Sequence, residues 1–194
     1  MSPPPRVLLL DTNAYLRLAL DFHPLFAGSH GQSPRHVFYV HADIDYEMRN
    51  SERIRTKFDW IGRATHVAER KARLFRLKPR EEEAAHASFG FLASEARVRN
   101  LNVSRIDIRL LAVALTKQIV LVSDDGGVAE LGRAFDVQIW SALAVLKMLF
   151  DTGAAGQEKV ATAVQRWAYE NELPCGKAEL RKLYREYFGT DCPV

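Results

Sequence analysis

Five acidic residues hold positions from which this 194-residue chain could do chemistry: Asp11, Glu47, Asp107 and the pair Asp124-Asp125. Asp11 closes the apolar run Val7-Leu-Leu-Leu10 and is followed by Thr12-Asn13, a turn and cap signal. Asp124-Asp125 closes a second run, Ile119-Val-Leu-Val-Ser123, and leads into Gly126-Gly127, so strand, acid and tight turn occur twice. Open parallel sheets gather their chemistry at the edge where such strands end. Asp107 follows Ser104 by three residues and precedes the stripe Ile108, Leu111, Ala112 and Leu115, which places it in the first turn of a capped helix. Glu47 falls in a helix beginning near Asp43, with Asp43 and Glu47 on one face and Asp45 pointing elsewhere. Two of these acids also have purely structural readings: Asp11 as a helix cap and Asp107 as a complement to the helix dipole. If the sheet is parallel, the acids converge at one edge. A carboxylate-only cluster suits hard cations, Mg²⁺ or Mn²⁺, and not Zn²⁺. Such an ion lowers the pKa of an attacking water and neutralises a phosphodiester.

The elements that must position these acids can be read in order. After the first strand and a short apolar helix at Tyr15, Leu16 and Leu18, the stretch Phe22–His36 is loop-like, and Val37-Phe-Tyr-Val40 is a second strand. From Glu52 to Lys78 the set Ile54, Phe58, Ile61, Ala68, Ala72 and Phe75 predicts one long helix, or two with a break at Ile61-Gly62, ended by Pro79. Glu81–Arg99 forms the next helix. Gln118–Ser123 and Val137–Trp140 read as strands, and Ser141–Phe150 as a capped apolar helix. Residues 1–151 then make the α/β domain, and 152–194 a two-helix extension, Glu158–Glu172 and Lys177–Phe188, too short for a core of its own. The extension should pack on the domain or on another chain.

Charge is segregated along the chain. Arg49–Arg80 holds eleven Lys or Arg against three acids, a net of +8 within a total of +3, which leaves −5 on the rest. A polyanion-binding face looks like this, as does an ordinary solvated helix surface. The predicted periodicity turns Ile54, Phe58, Ile61, Ala68 and Phe75 inward. Arg55, Arg63, Arg70, Lys71, Arg73 and Lys78 are left as the phosphate contacts.

Composition is that of a single globular domain, 47% apolar with eight prolines. No apolar run of membrane-spanning length and no basic-then-apolar leader follows the Met-Ser-Pro-Pro-Pro start, which predicts a cytoplasmic protein. Cys175 and Cys192 are too few for a disulfide scaffold or a four-ligand zinc site, and no zinc signature or phosphate-binding glycine loop is present.

Taken together, the motifs Leu9-Leu-Asp-Thr-Asn13, Tyr46-Glu-Met-Arg-Asn50, Asp107-Ile-Arg-Leu-Leu-Ala-Val-Ala114 and Leu121-Val-Ser-Asp-Asp125 resemble the PIN-domain nuclease family over roughly Arg6 to Leu149. That family includes VapC-type toxins and several RNA-processing nucleases. The resemblance implies a three-layer α/β fold, a mostly parallel sheet of four or five strands flanked by helices, and metal-dependent cleavage of RNA. It implies that Asp11, Asp107 and Asp125 hold the principal ion and that Glu47 supports a second or positions the water, while Asn13 and Ser123 orient the carboxylates. Asp124 stands where the family often has Asn and can share or replace the part of Asp125. The sixty-position separation of Glu47 and Asp107 and the helical extension depart from the smallest toxin-like members.

The implied function is therefore an Mg²⁺- or Mn²⁺-dependent endoribonuclease, as a toxin or as a processing enzyme. Two other classes use the same residues: a catalytically silent nucleic-acid-binding or protein-interaction module, and a small-molecule phosphatase or nucleotide hydrolase. The resemblance also implies a small antitoxin-like protein partner and pairing into a homodimer. Within the sequence, pairing draws on Trp167, Tyr169, Tyr184 and Tyr187 as exposed aromatics of the extension.

Overall fold

The structure, a computed structural model, describes residues 4–194, so the Met1-Ser-Pro3 part of the start read above lies outside it. Leu8, Leu9 and Leu10 are fully buried, and a strand apolar on both faces must lie inside a sheet covered on both sides. Accordingly β1 (Arg6–Leu10) is the middle strand of five. The others are β2 (His36–His41), β3 (Leu74–Phe75), β4 (Val120–Val122) and β5 (Ile139–Trp140), in the order β3-β2-β1-β4-β5. Every pairing is parallel, and helices flank the sheet, giving the α/β class expected from the sequence.

Register decides where the site can form. Leu10 pairs with Val40 on one side and with Val122 on the other, so the three central strands end level. The Asp11 N–H continues the ladder to Val122 O at 3.0 Å, and the Ser123 N–H reaches Trp140 O at 2.9 Å. Each strand then turns into a helix at that edge: α1 (Thr12–Leu18) after β1, α2 (Ala42–Asn50) after β2, and α7 (Gly126–Ala134) after β4. Between them in the chain lie α3 (Glu52–Lys57), α4 (Ala64–Ala72), α5 (Pro79–Val98) and α6 (Arg105–Lys117).

The stretch Glu52–Lys78 is not the one or two helices predicted. It is α3, a 3-10 turn at Asp59–Gly62, α4 and the short edge strand β3. Pro79 opens α5 at its first turn instead of closing the preceding helix, since its missing N–H is unneeded there. The inward face of α4 is also different. Ala68 is exposed, while His66 and Arg70 are buried. Arg70 is tolerated inside because its donors are satisfied: Nε reaches Asp45 Oδ1 at 3.2 Å, and Nη1 reaches both Tyr15 OH and Ile61 O at 3.0 Å.

After β5 come α8 (Ala142–Asp151), α9 (Gln157–Tyr169) and α10 (Lys177–Phe188). The apolar stripe of the extension is buried against the chain's own core, with Trp167, Leu180 and Tyr184 inside it. Trp167 Nε1 donates to Arg17 O at 2.8 Å, which ties α9 to the end of α1. Trp167 and Tyr184 are thus not the exposed aromatics expected, because the domain has already used them; Tyr187 is half-buried, and Tyr169 alone of the four is open, at 89%. Cys175 and Cys192 are free thiols, and no helix among the described residues is long and apolar enough to cross a membrane.

Candidate metal centre

Asp11 is the N-cap of α1. Its Oδ1 accepts from the Ala14 N–H at 2.6 Å. At the end of β4 the buried Ser123 Oγ accepts from the Asp125 N–H at 3.2 Å. Asp125 caps α7 through Oδ1, which accepts from the Val128 N–H at 2.9 Å. Gly126-Gly127 is the first turn of that helix and not a loop. A Cβ at Gly127 would lie 2.9 Å from Val103 Cγ2 and 3.2 Å from Asp125 Oδ1, so glycine there leaves room for the carboxylate. Ser104 caps α6, and its hydroxyl donates to Asp107 Oδ2 at 2.7 Å. Glu47 reaches in from α2, its Oε2 accepting from Thr12 Oγ1 at 2.5 Å. Capping and convergence are compatible, since each cap occupies one carboxylate oxygen.

Asp11, Asn13, Glu47 and Asp107 line one cleft of about 570 Å³. Asp125 does not line that cleft but borders a second hollow with Ser123 and Asp124. Charge links the two. Burial raises the Asp107 carboxyl above its ordinary range, Ser104 opposes this, and the negative charges of Asp125 and Glu47 push it further up. Asp11 is pushed up to about 7, chiefly by burial, with Asp124 and Asp107 adding repulsion against hydrogen bonds from Ser123 and Ala14. The direct hydrogen-bond partners of these acids are hydroxyls and backbone N–H groups.

Asp124 is engaged differently. Oδ2 accepts from Arg17 Nη1 at 2.8 Å, and Oδ1 accepts from the Ala142 N–H at 2.9 Å, at the start of α8. Burial raises its pKa, while Arg17 and that N–H favour its charged form. Asp43, read as sharing a face with Glu47, lies in a different hollow beside His86 and Arg109. Asp45 is buried on Arg70.

None of the six predicted phosphate contacts lines the acidic cleft. Arg70 is 1% exposed and committed to Asp45, and Arg73 donates to Phe26 O at 3.0 Å and lies over the Tyr39 ring. Both are corrections, caused by the short helix and edge strand that replace the long predicted helix. Arg55, Arg63, Lys71 and Lys78 are exposed. The basic residues that do line the cleft are Arg53 and Lys57 of α3, which the periodicity argument passed over. Two further residues were missed: Thr12, which holds Glu47, and Glu172 of the extension, which lines the cleft and pairs with Lys57 and Arg17. Thr12 adjoins Asp11 and could have been picked out; the reach of Glu172 is tertiary.

No protein-family model and no curated protein matches the sequence. Among solved structures the chain is similar to FitAcB from Neisseria gonorrhoeae, at 14% identity and a TM-score of 0.44, over 70% of this chain and 98% of that one. It is similar also to VapBC2 from Rickettsia felis, solved bound to a DNA fragment from their promoter, at 12% identity and a TM-score of 0.42, over 70% and 98% of the two chains.

Proposed function

We propose that this chain is a divalent-metal-dependent endoribonuclease, the activity implied by its resemblance to PIN-domain nucleases. The observation that carries the reading is the meeting of Asp11, Glu47 and Asp107 in one cleft, with Asp125 electrostatically coupled to Asp107 and with hydroxyls and backbone N–H groups as the direct hydrogen-bond partners of these acids. The donor set is all oxygen and carries several carboxylates close together, so these residues fit Mg²⁺ or Mn²⁺. Asp11, Asp107 and Asp125 would hold the principal ion, with Glu47 serving a second ion or orienting the attacking water. When bound, such an ion supplies an activated water and charge neutralisation at phosphorus.

The chain's own residues set the geometry. The Ala14 N–H fixes Asp11, Ser123 holds the backbone of Asp125, Ser104 fixes Asp107, and Thr12 fixes Glu47. Asp107 and Asp125 stand at the N-termini of α6 and α7, where the helix dipoles complement negative charge. Arg53 and Lys57 offer the positive rim a phosphate backbone needs beside an acidic floor. Asn13 is exposed and lines the cleft, where its part would be to orient a carboxylate. A small antitoxin-like protein that blocks this cleft follows from the same resemblance.

The test is cleavage of single-stranded and structured RNA by wild type and Asp11→Asn, each freed of contaminating nuclease, in Mn²⁺, Mg²⁺ and EDTA. Cleavage that requires metal and falls at least a hundredfold in the variant supports the proposal. Equal cleavage by the variant rejects it. RNA binding retained in EDTA with no turnover in either metal would instead identify a silent binding module, and hydrolysis of mononucleotides alone a small-molecule phosphatase.

A further inference from the structure

His66 and Glu69 are three apart on α4 and therefore neighbours on one helix face, while His23 sits in the glycine- and proline-rich segment between α1 and β2. The fold brings them together, with one potential ligand atom from each lying within 4.8 Å of the others. Three buried atoms there have no hydrogen-bond partner: His23 Nε2, His66 Nδ1 and Glu69 Oε2. Buried polar atoms are nearly always satisfied, so three orphans facing one another call for an explanation.

The carboxylate is held ready. Glu69 Oε1 accepts from the Phe26 N–H at 2.6 Å, which fixes the orientation of Oε2, and the side chain is only 8% exposed. His66, 4% exposed, is wedged between the rings of His23 and Trp60, with centroids 4.3 and 4.9 Å away. His23 Nε2 stands 3.5 Å from Glu69 Oε2. An ion pair between those two would leave His66 Nδ1 without a role, whereas a cation among all three accounts for every orphan.

We propose that His23, His66 and Glu69 form a second metal site, distinct from the acidic cleft, that takes one Zn²⁺ or a similar imidazole-binding transition ion. Two imidazoles and one carboxylate are a known zinc donor set, with water completing a tetrahedron, and nitrogen donors disfavour Mg²⁺. Ligands about 2.1 Å from a tetrahedral ion lie roughly 3.4 Å apart, so separations within 4.8 Å close by at most about 1.4 Å on loading. Burial holds His66 neutral, its pKa pushed down to about 4 with help from the charges of His23, Arg70 and Arg63; a neutral ring is the ligating form. Arg70 is already balanced by Asp45. The ion staples the α1–β2 segment to α4. None of the three residues lines the acidic cleft.

The experiment uses the full chain carrying Asp11→Asn and Asp107→Asn, so that the acidic cleft does not contribute. After EDTA treatment and dialysis it is titrated with Co²⁺, followed by visible absorption, and with Zn²⁺, followed by Tm. The site predicts one equivalent of Co²⁺ with the intense visible bands of low-symmetry coordination, displaced by Zn²⁺. It also predicts a Tm rise of roughly 5–10 °C at a hundredfold excess of Zn²⁺ over Kd. His23→Gln and Glu69→Gln, each checked as folded by circular dichroism, should lose both signals. No Co²⁺ band and no Zn²⁺ effect in the folded parent overturns the site. Unchanged binding in both folded variants overturns it equally. The outcome is independent of whether the chain cuts RNA.

Discussion

Arg17 Nη1 donates to Asp124 Oδ2 at 2.8 Å, with both side chains almost wholly withdrawn from solvent. That pair separates the two adjacent acids at the end of β4. Asp124 is occupied on both oxygens, by Arg17 and by the start of α8, whereas Asp125 gives one oxygen to its cap and keeps the other. Asp124→Asn should therefore cost about 3 kcal/mol of stability by leaving a buried guanidinium short of its charge partner, yet retain Mn²⁺ binding. Asp125→Asn should do the reverse, since Asn caps helices as well as Asp does. Denaturant midpoints and Mn²⁺ titrations on the two variants check this, and interchanged results would make Asp124 the ligand.

A second expectation concerns pH. Asp11 has a carboxyl raised from 3.8 to about 7 in the metal-free fold, mainly by burial. Its folded state holds the proton more tightly than its unfolded state. The contribution to stability is then fully present below pH 4 and is lost as pH rises through 7. A divalent ion must displace that proton. The difference in Tm between Mn²⁺ and EDTA should thus grow from pH 5.5 to 7.5 in wild type and remain flat in Asp11→Asn. A wild-type difference that shrinks over this range would contradict the assignment.

The acids and the sheet could be read locally because each is announced locally: apolar runs before Asp11 and Asp124, a cap before Asp107 and a helical spacing around Glu47. What could not be read depended on distant partners. β3 has two residues, too few for any periodicity, and it lies inside a pattern that favours helix. Arg70 looks like surface until Asp45, twenty-five positions away, is placed beside it. Glu172 reaches the cleft only because Trp167 is buried against α1.

Arg70 illustrates how a surface reading misleads an experiment. Reversing Arg63, Arg70 and Arg73 together to probe RNA binding would place a glutamate against Asp45 in the core. Arg70→Glu alone should destabilise by about 3–5 kcal/mol, the usual effect of breaking a buried pair, and lower Tm by roughly 6 °C or more. Arg63→Glu, on an exposed residue, should leave Tm within about 2 °C. Thermal melts of the single variants decide, and a wild-type Tm for Arg70→Glu would mean that the guanidinium is not buried.

The last expectation places the substrate. Arg53 and Lys57 line the acidic cleft from α3, and Lys57 is held by Glu172 of the C-terminal extension. Arg53→Ala with Lys57→Ala should weaken RNA binding at all sequences and flatten the slope of log affinity against log salt by about 1.4, two phosphate contacts on a single strand. Glu172→Gln should act oppositely: it removes a negative charge from the cleft and frees Lys57, so affinity rises and the slope steepens by about 0.7. Arg63→Glu with Lys71→Glu, on α4 and outside the cleft, serves as the comparison. The three slopes can be measured on one labelled RNA with metal withheld, which keeps cleavage out of the result. If the α4 pair carries the loss and the α3 pair does not, the RNA approaches over α4 and the cleft contacts assigned to Arg53 and Lys57 are wrong.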